Sequence, residues 1–176
     1  MKKYFRVMLG KGSAYAESSF AGGYIGADFK IQEDLTGKLP DEWRDFNKRF
    51  IPVYLEAHPD KGKISAGLAC GALWTIGKGI STGDLILSPN GTGTYRVAEI
   101  VGDYQYAPGE PLPHRRPVRW LNERIDRSEM SESLRYSTGS IGTISNISNY
   151  GDEIERLLGR AIAQTEVAPL SWIGFN

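Results

Sequence analysis

The chain has 176 residues, a length typical of one domain, and its 21 glycines and 9 prolines favour strands and turns over a helical bundle. Its formal net charge of zero excludes a global basic field, and its single cysteine, Cys70, excludes an internal disulfide framework and a multi-cysteine zinc site. No apolar run approaches the roughly 18 residues of a membrane span, so we expect a soluble, cytoplasmic protein.

The amino-terminal part predicts a strand, a tight turn, a helix and a second strand. The strands are predicted over residues 4–9 and 24–29, and the turn follows the first strand at residues 10–12. Ser13 is the predicted N-cap of the helix, which ends at the glycine pair 22–23. In the second strand, Gly26 indicates a bulge or the close approach of another backbone segment.

Two helices are predicted in the next part of the chain. Pro40 is well placed to open the first, and Trp43, Phe46 and Phe50 recur on one face that we expect to pack on the body. Apolar residues at helical spacing predict the second helix over residues 64–76.

The remaining elements are a hairpin, a basic strand and two helices. The hairpin has strands over residues 84–88 and 95–101 around a turn at 90–93. The basic strand covers 114–121, and prolines at 111, 113 and 117 favour an edge position. A short helix runs through Leu134 and Arg135. The last helix, capped by Asn149, carries Ile154, Leu157, Leu158, Ala161 and Ile162 on one face.

These elements add up to a mixed α/β domain of the α+β kind, with a curled, mainly antiparallel sheet and flanking helices. We assign residues 1–160 to this domain. Residues 161–176 are predicted to be a helix end and tail, or a linker to a nuclease domain.

Catalytic chemistry is not supported by the residue pattern. The two histidines, His58 and His114, lack a metal-ligand spacing, and Cys70 lies in a predicted helix beside small residues, as expected of a core position. Asp60 and Lys61 are a fragment of a metal-dependent nuclease site without its second acidic strand. We therefore expect a binding domain without metal, cofactor or nuclease activity of its own.

Two segments could bind a nucleic acid. The turn 10–13 could hold a phosphate at the start of a helix, or it could be a plain strand-to-helix turn. The run of Arg115, Arg116 and Arg119 could position phosphates, or it could protect a solvated edge strand. In an extended segment, Arg116 faces away from the other two arginines. Tyr104 and Tyr106 share one face by the same spacing rule and are candidates to stack on a base.

Several short stretches also occur in an order that is typical of one family. They are Phe5-Arg6-Val7, Gly10-Lys11-Gly12, Gly23-Tyr24-Ile25-Gly26, Leu73-Trp74, Gly83-Asp84-Leu85-Ile86, the run from Glu99 to Tyr106, and the run from His114 to Trp120. This set, over roughly residues 4–158, resembles the amino-terminal domain of Mrr-type restriction endonucleases, an EVE-like member of the PUA-like superfamily that also includes YTH domains.

The resemblance implies a curved sheet or small barrel with a pocket for one extruded, often methylated base. The turn of Lys11, Gly12 and Ser13 would form one lip, Phe29 stands where relatives commonly carry tryptophan, and Tyr104 and Tyr106 would supply the opposing wall. The predicted base-binding residues are Ser13, Tyr24, Phe29, Trp74, Tyr104 and Tyr106, and the predicted phosphate-binding residues are Lys11, Gly12, Arg115, Arg116 and Arg119.

The resemblance further implies a reader of modified DNA, the specificity module of a restriction or defence system, acting with a nuclease domain or a separate nuclease subunit. The modified base would be methylated or hydroxymethylated cytosine, or methylated adenine. Three alternatives stay open: a YTH-like reader of methylated RNA, a small-molecule enzyme that uses acids such as Glu99 or Asp103, and a protein-interaction module that uses the Trp43 face.

Overall fold

The computed structural model describes residues 1–159, so the predicted tail at 161–176 lies outside the described residues. Within 1–159 the strands are β1 (Tyr4–Val7), β2 (Tyr24–Ala27), β3 (Leu85–Pro89), β4 (Thr94–Ile100), β5 (Gln105–Tyr106), β6 (His114–Asp126) and β7 (Ile144–Asn146). The helices are α1 (Ala16–Gly22), α2 (Trp43–Ala57), α3 (Lys63–Trp74), α4 (Glu132–Thr138) and a helical segment at 151–159, here α5.

The strands form one strongly curled, mostly antiparallel sheet with helices on its flanks, which confirms the predicted fold class. Their order is β2-β6-β4-β3-β1-β7, with β5 paired to β6. Only β1 and β3 run parallel among the described pairs. The predicted hairpin is present as β3 and β4, and the Asn90 side chain accepts the N–H of Thr92 to shape its turn.

Strand β6 lies in the interior of the curled sheet, so the predicted edge position for this strand is wrong. Its first part pairs with β2 and β5, and its second part pairs with β4, where a bulge lies between Arg96 and Ala98. Pro117 is tolerated inside the sheet because it sits where the partner changes from β5 to β4. There its carbonyl accepts the N–H of Val101.

Both faces of the sheet are covered by side chains. Neighbouring residues of β1 point to opposite faces and pack in different hydrophobic cores. Tyr4 packs in a cluster with Leu134 of α4 and Ile154 of α5. Phe5 packs on the other face in a cluster with Ile25 and Ile86, which α1 closes. A third core joins α2 and α3 and includes Phe46, Phe50 and Cys70. Of the predicted face of Trp43, Phe46 and Phe50, the two phenylalanines are buried in this third core, whereas Trp43 is 40% exposed.

Helix boundaries differ from the prediction at three places. Ser13 is not the N-cap of α1, because it ends a 3₁₀ turn and α1 begins at Ala16 without a side-chain cap. Pro40 does not open α2, which begins at Trp43 and continues through Pro52 to Ala57. Helix α3 ends at Trp74 and passes into a π-helical turn, Thr75–Gly79. By contrast, α4 is present where a short helix was predicted.

In the described part of the chain, no helix has the length and apolar character needed to cross a bilayer.

Candidate functional site

A pocket of about 800 Å³ opens where four segments of the chain meet. These are the turn after β1, the end of β2, the tip of the β3–β4 hairpin and the loop between α4 and β7. The volume lies within the range of sites that bind small molecules and cofactors. The lining includes the rings of Tyr15, Phe29 and Tyr95 and the cationic side chains of Lys11 and Arg127.

The turn of Lys11, Gly12 and Ser13 is one lip of this pocket. Its backbone is left-handed at Gly10, Gly12 and Ser13, with φ angles of 83°, 62° and 61°. A Cβ atom on Gly10 would lie 2.6 Å from the Tyr15 ring, so the tight reversal after β1 requires glycine there. The reversal leaves the Lys11 side chain exposed at the mouth of the pocket.

Backbone strain is concentrated around the pocket. Within residues 1–159, four non-glycine residues have a left-handed φ, and Ser13, Phe29 and Leu112 of these line the pocket. The fourth, Lys30, directly follows Phe29. Such conformations cost of order 1–3 kcal/mol each and persist only where the surrounding structure enforces them. Their clustering is typical of a site that has a function beyond packing.

The three aromatic rings differ in how much surface they offer to a ligand. Tyr95 is only 5% exposed, and its hydroxyl lies 3.5 Å from the Thr138 carbonyl. Tyr15 is 40% exposed, and Phe29 is half-buried against the α2–α3 core. A ligand therefore has two rings to stack on. Phe29 was predicted from the sequence, whereas Tyr15 was missed although it directly follows the glycine-bounded turn.

The loop between α4 and β7 also lines the pocket, and Arg6 of β1 holds it. The Arg6 side chain is fully buried, and its guanidinium donates to the Gly142 carbonyl at 2.7 Å and the Ser145 hydroxyl at 2.6 Å. It also donates to the Ser140 carbonyl and hydroxyl, both at 3.1 Å. Burial lowers the pKa of this guanidinium, an environment tolerated because these oxygens solvate the charge. Sequence analysis missed this role.

The mouth of the pocket is positively charged. Lys11 and Arg127 are both exposed there, and within residues 1–159 neither forms an ion pair. Asp28 also lines the pocket, so the net balance of these three side chains is one positive charge. Two cations without partners beside an apolar cavity suit a ligand that carries phosphate next to a flat ring. Arg127 was not predicted from the sequence.

Tyr104 and Tyr106 share a face as predicted, but they do not line this pocket. Their rings pack on His114, with centroid distances of 5.9 and 5.2 Å. The fold does not bring them opposite the turn, because β5 pairs with the start of β6 and directs both rings towards the buried imidazole. The predicted opposing wall is therefore formed by other residues.

His114 organises a buried hydrogen-bond chain in this region. Its Nε2–H donates to the Ile31 carbonyl at 2.6 Å, and its Nδ1 accepts the Tyr104 hydroxyl proton at 2.7 Å. The Tyr104 oxygen accepts the Leu35 N–H at 3.1 Å. Burial lowers the pKa of His114 and raises the pKa of Tyr104 to about 12, so both groups are neutral near pH 7. This chain anchors the segment that follows Phe29.

The three arginines of β6 do not form a common phosphate-binding surface. Arg116 is buried and donates to the carbonyls of Gly102, Ile76 and Ile80, so the predicted phosphate contact is wrong for this guanidinium. Arg119 is exposed but paired with Glu99. Arg115 donates to two carbonyls, and its guanidinium lies 3.7 Å from the centroid of the Tyr24 ring.

The last two predicted base-binding aromatics also lie away from the pocket. Tyr24 is covered by Arg115, and Trp74 packs on the α2–α3 core, where its indole N–H donates to the Pro40 carbonyl at 2.8 Å. Of the base-binding set, only Ser13 and Phe29 line the pocket, and of the phosphate-binding set only Lys11 and Gly12 do.

The residues behind the alternative functions are scattered. Glu99 is paired with Arg119 on the sheet, and Asp103 lines a separate pocket of about 530 Å³. Trp43 is 40% exposed under the Arg44 guanidinium. Among residues 1–159, no three His, Cys, Asp or Glu side chains are placed to hold a metal ion. Burial raises the pKa of the Cys70 thiol to about 11, as expected of a core cysteine.

Comparison with known proteins adds a family but no activity. A family model described as a domain of unknown function (DUF8426) matches residues 5–148. No curated protein is significantly similar to the chain.

Proposed function

The chain belongs to the DUF8426 family, and we propose that it binds DNA through one modified base, everted from the duplex into the pocket beside the Lys11–Ser13 turn. The base is methylated or hydroxymethylated cytosine, or methylated adenine. The protein serves as the specificity module of a restriction or defence system, as its resemblance to Mrr-type amino-terminal domains implies. Cleavage is assigned to a separate nuclease domain or subunit.

One observation carries this proposal. The pocket combines about 800 Å³ of space, accessible rings on Phe29 and Tyr15, and unpaired cations on Lys11 and Arg127. A nucleobase is a flat ring that is joined through its sugar to phosphates, so it needs these three features side by side. Lys11 and Arg127 hold the backbone while the rings stack on the base.

Selectivity for the modification comes from two sources. Burial of one methyl group against the rings contributes about 0.8 kcal/mol, which corresponds to about a fourfold preference. Where the modification weakens the base pair, the pair also costs less to open, which lowers the free energy of eversion. We therefore expect modest discrimination by the domain alone.

The test is a set of duplexes that share one sequence and differ in a single base modification. Binding of the full chain is measured by fluorescence anisotropy, with single-stranded RNA of the same sequence, methylated on adenine, as a further ligand. One modified duplex should bind more tightly than its unmodified form. Equal affinity across all duplexes contradicts the proposal, and preferential binding of the methylated RNA supports the YTH-like alternative instead.

Phe29→Ala identifies the ring that contacts the base. We expect this change to weaken binding of the modified duplex about tenfold and of the unmodified duplex much less, because a stacking contact is lost. Tyr106→Ala is the matched control, since Tyr106 packs on His114 outside the pocket. If the Tyr106 change has the larger and more selective effect, the base lies on β5 and the assigned pocket is wrong.

A further inference from the structure

The loop between α4 and β7 presents an apolar side chain that has no partner in the described structure. Ile141 lines the rim of the pocket, and its side chain is 103% exposed, the highest value among the large hydrophobic residues within 1–159 after the terminal Met1. A single exposed apolar residue is common on protein surfaces. Ile141 differs from such residues in two respects. It lies at the mouth of a pocket, and the loop that carries it is held by a buried arginine.

The backbone on both sides of Ile141 is fixed from inside the protein. The buried Arg6 guanidinium holds the carbonyls of Ser140 and Gly142, the two residues that flank Ile141. The Ser140 hydroxyl also hydrogen-bonds the Ser145 hydroxyl at 2.8 Å, which closes the base of the loop. Gly142 has a φ of 120°, so the chain turns back directly after the isoleucine. The loop therefore projects Ile141 outward on a supported backbone.

An everted base leaves a gap in the stack of its duplex. Proteins that bend DNA commonly insert an apolar side chain between base steps, and the base faces on either side of a vacated position offer the same kind of flat, apolar surface. A filler has to project from the rim of the pocket that receives the base, next to the cations that hold the backbone. Ile141 meets both requirements, since it shares the pocket lining with Lys11 and Arg127.

We propose that Ile141 is the wedge that enters the duplex and occupies the space vacated by the everted base. This inference rests on the proposed function, because a wedge is needed only when a base leaves the stack. Arg6 acts as a positioning residue that keeps the wedge directed outward.

The experiment compares Ile141→Ala and Ile141→Leu in the full chain on two ligands. One is the paired duplex that the wild type prefers, and the other is the single strand that carries the same modified base. Ile141→Ala should bind the duplex about tenfold more weakly and the single strand equally well. Only the duplex has a continuous stack of base pairs in which an everted base leaves a gap. Ile141→Leu should retain most of the duplex affinity.

A direct readout of eversion accompanies the affinities. With 2-aminopurine beside the modified base, wild type should raise its fluorescence and Ile141→Ala should raise it less at saturating protein. Tyr136→Ala is the matched control, because Tyr136 of α4 is 84% exposed and outside the pocket lining. It should behave as wild type in both measurements.

The outcomes separate the wedge from the proposed function. If wild type prefers a modified duplex and Ile141→Ala binds it unchanged, or loses duplex and single strand equally, the wedge is refuted and the reader function stands. If wild type prefers no modified duplex, the reader function fails and the wedge fails with it.

Discussion

His114 shows how a single buried side chain couples pH to stability. Because burial lowers the pKa of the folded imidazole below its ordinary value of 6.5, the unfolded chain binds the proton first on acidification. The neutral imidazole therefore contributes to the free energy of unfolding above about pH 6.5, and this contribution is lost as the pH falls towards the folded pKa. Stability should thus decline on the acid side of neutrality.

His114→Gln removes this titration and isolates its effect. The variant should be less stable than wild type at pH 7, because Tyr104 and the Ile31 carbonyl lose well-placed partners. The difference in unfolding free energy, measured by urea titration, should shrink between pH 7 and pH 5. His58→Gln is the control at the other histidine. A difference that stays constant with pH would show that His114 does not titrate during unfolding.

At the scale of the elements, the contact of β2 with the start of β6 depends on Gly26. A Cβ atom there would lie 2.9 Å from the carbonyl oxygens of both His114 and Leu112, and His114 belongs to β6, which pairs with β2. Gly26→Ala should therefore destabilise the fold by about 2 kcal/mol or more. Thermal and urea unfolding measure the loss.

Gly67 in α3 is the matched control for this change. It lies in a helix interior, and a Cβ atom there would meet nothing within 4 Å. Gly67→Ala should stabilise the protein by about 0.5–1 kcal/mol, because alanine loses less conformational freedom in a helix. If both alanine variants were equally stable, the close approach at Gly26 would have no energetic weight.

At the scale of the whole molecule, the net charge is zero, so the salt dependence of DNA binding reports how many local cations contact phosphates. Only Lys11 and Arg127 are assigned to the backbone, so the slope of log K against log salt concentration should be about −2. Replacing both by alanine should weaken modified and unmodified duplexes alike and bring the slope close to zero. A slope of about −5 would mean that DNA crosses a much wider surface than the pocket mouth.

Patterns confined to a few neighbouring residues were sufficient to predict most of the helices, strands and turns. The hairpin of β3 and β4, the buried face of α2, the close approach at Gly26 and the Lys11–Ser13 turn could all be predicted, because alternation, helical spacing and glycine act over short distances. Helix ends were predicted less well, since α2 begins after Pro40 and continues through Pro52.

Tertiary structure decided which residues meet at the pocket. Curling of the sheet brings the loop held by Arg6 to the turn of Lys11, more than a hundred positions earlier in the chain, and places Arg127 at the same mouth. The same long-range pairing makes β6 an interior strand, buries Arg116 and directs Tyr104 onto His114. Amino-acid order alone determined the fold class and one lip of the site. The rest of the pocket lining depended on strand pairing between distant segments, which no local pattern specifies.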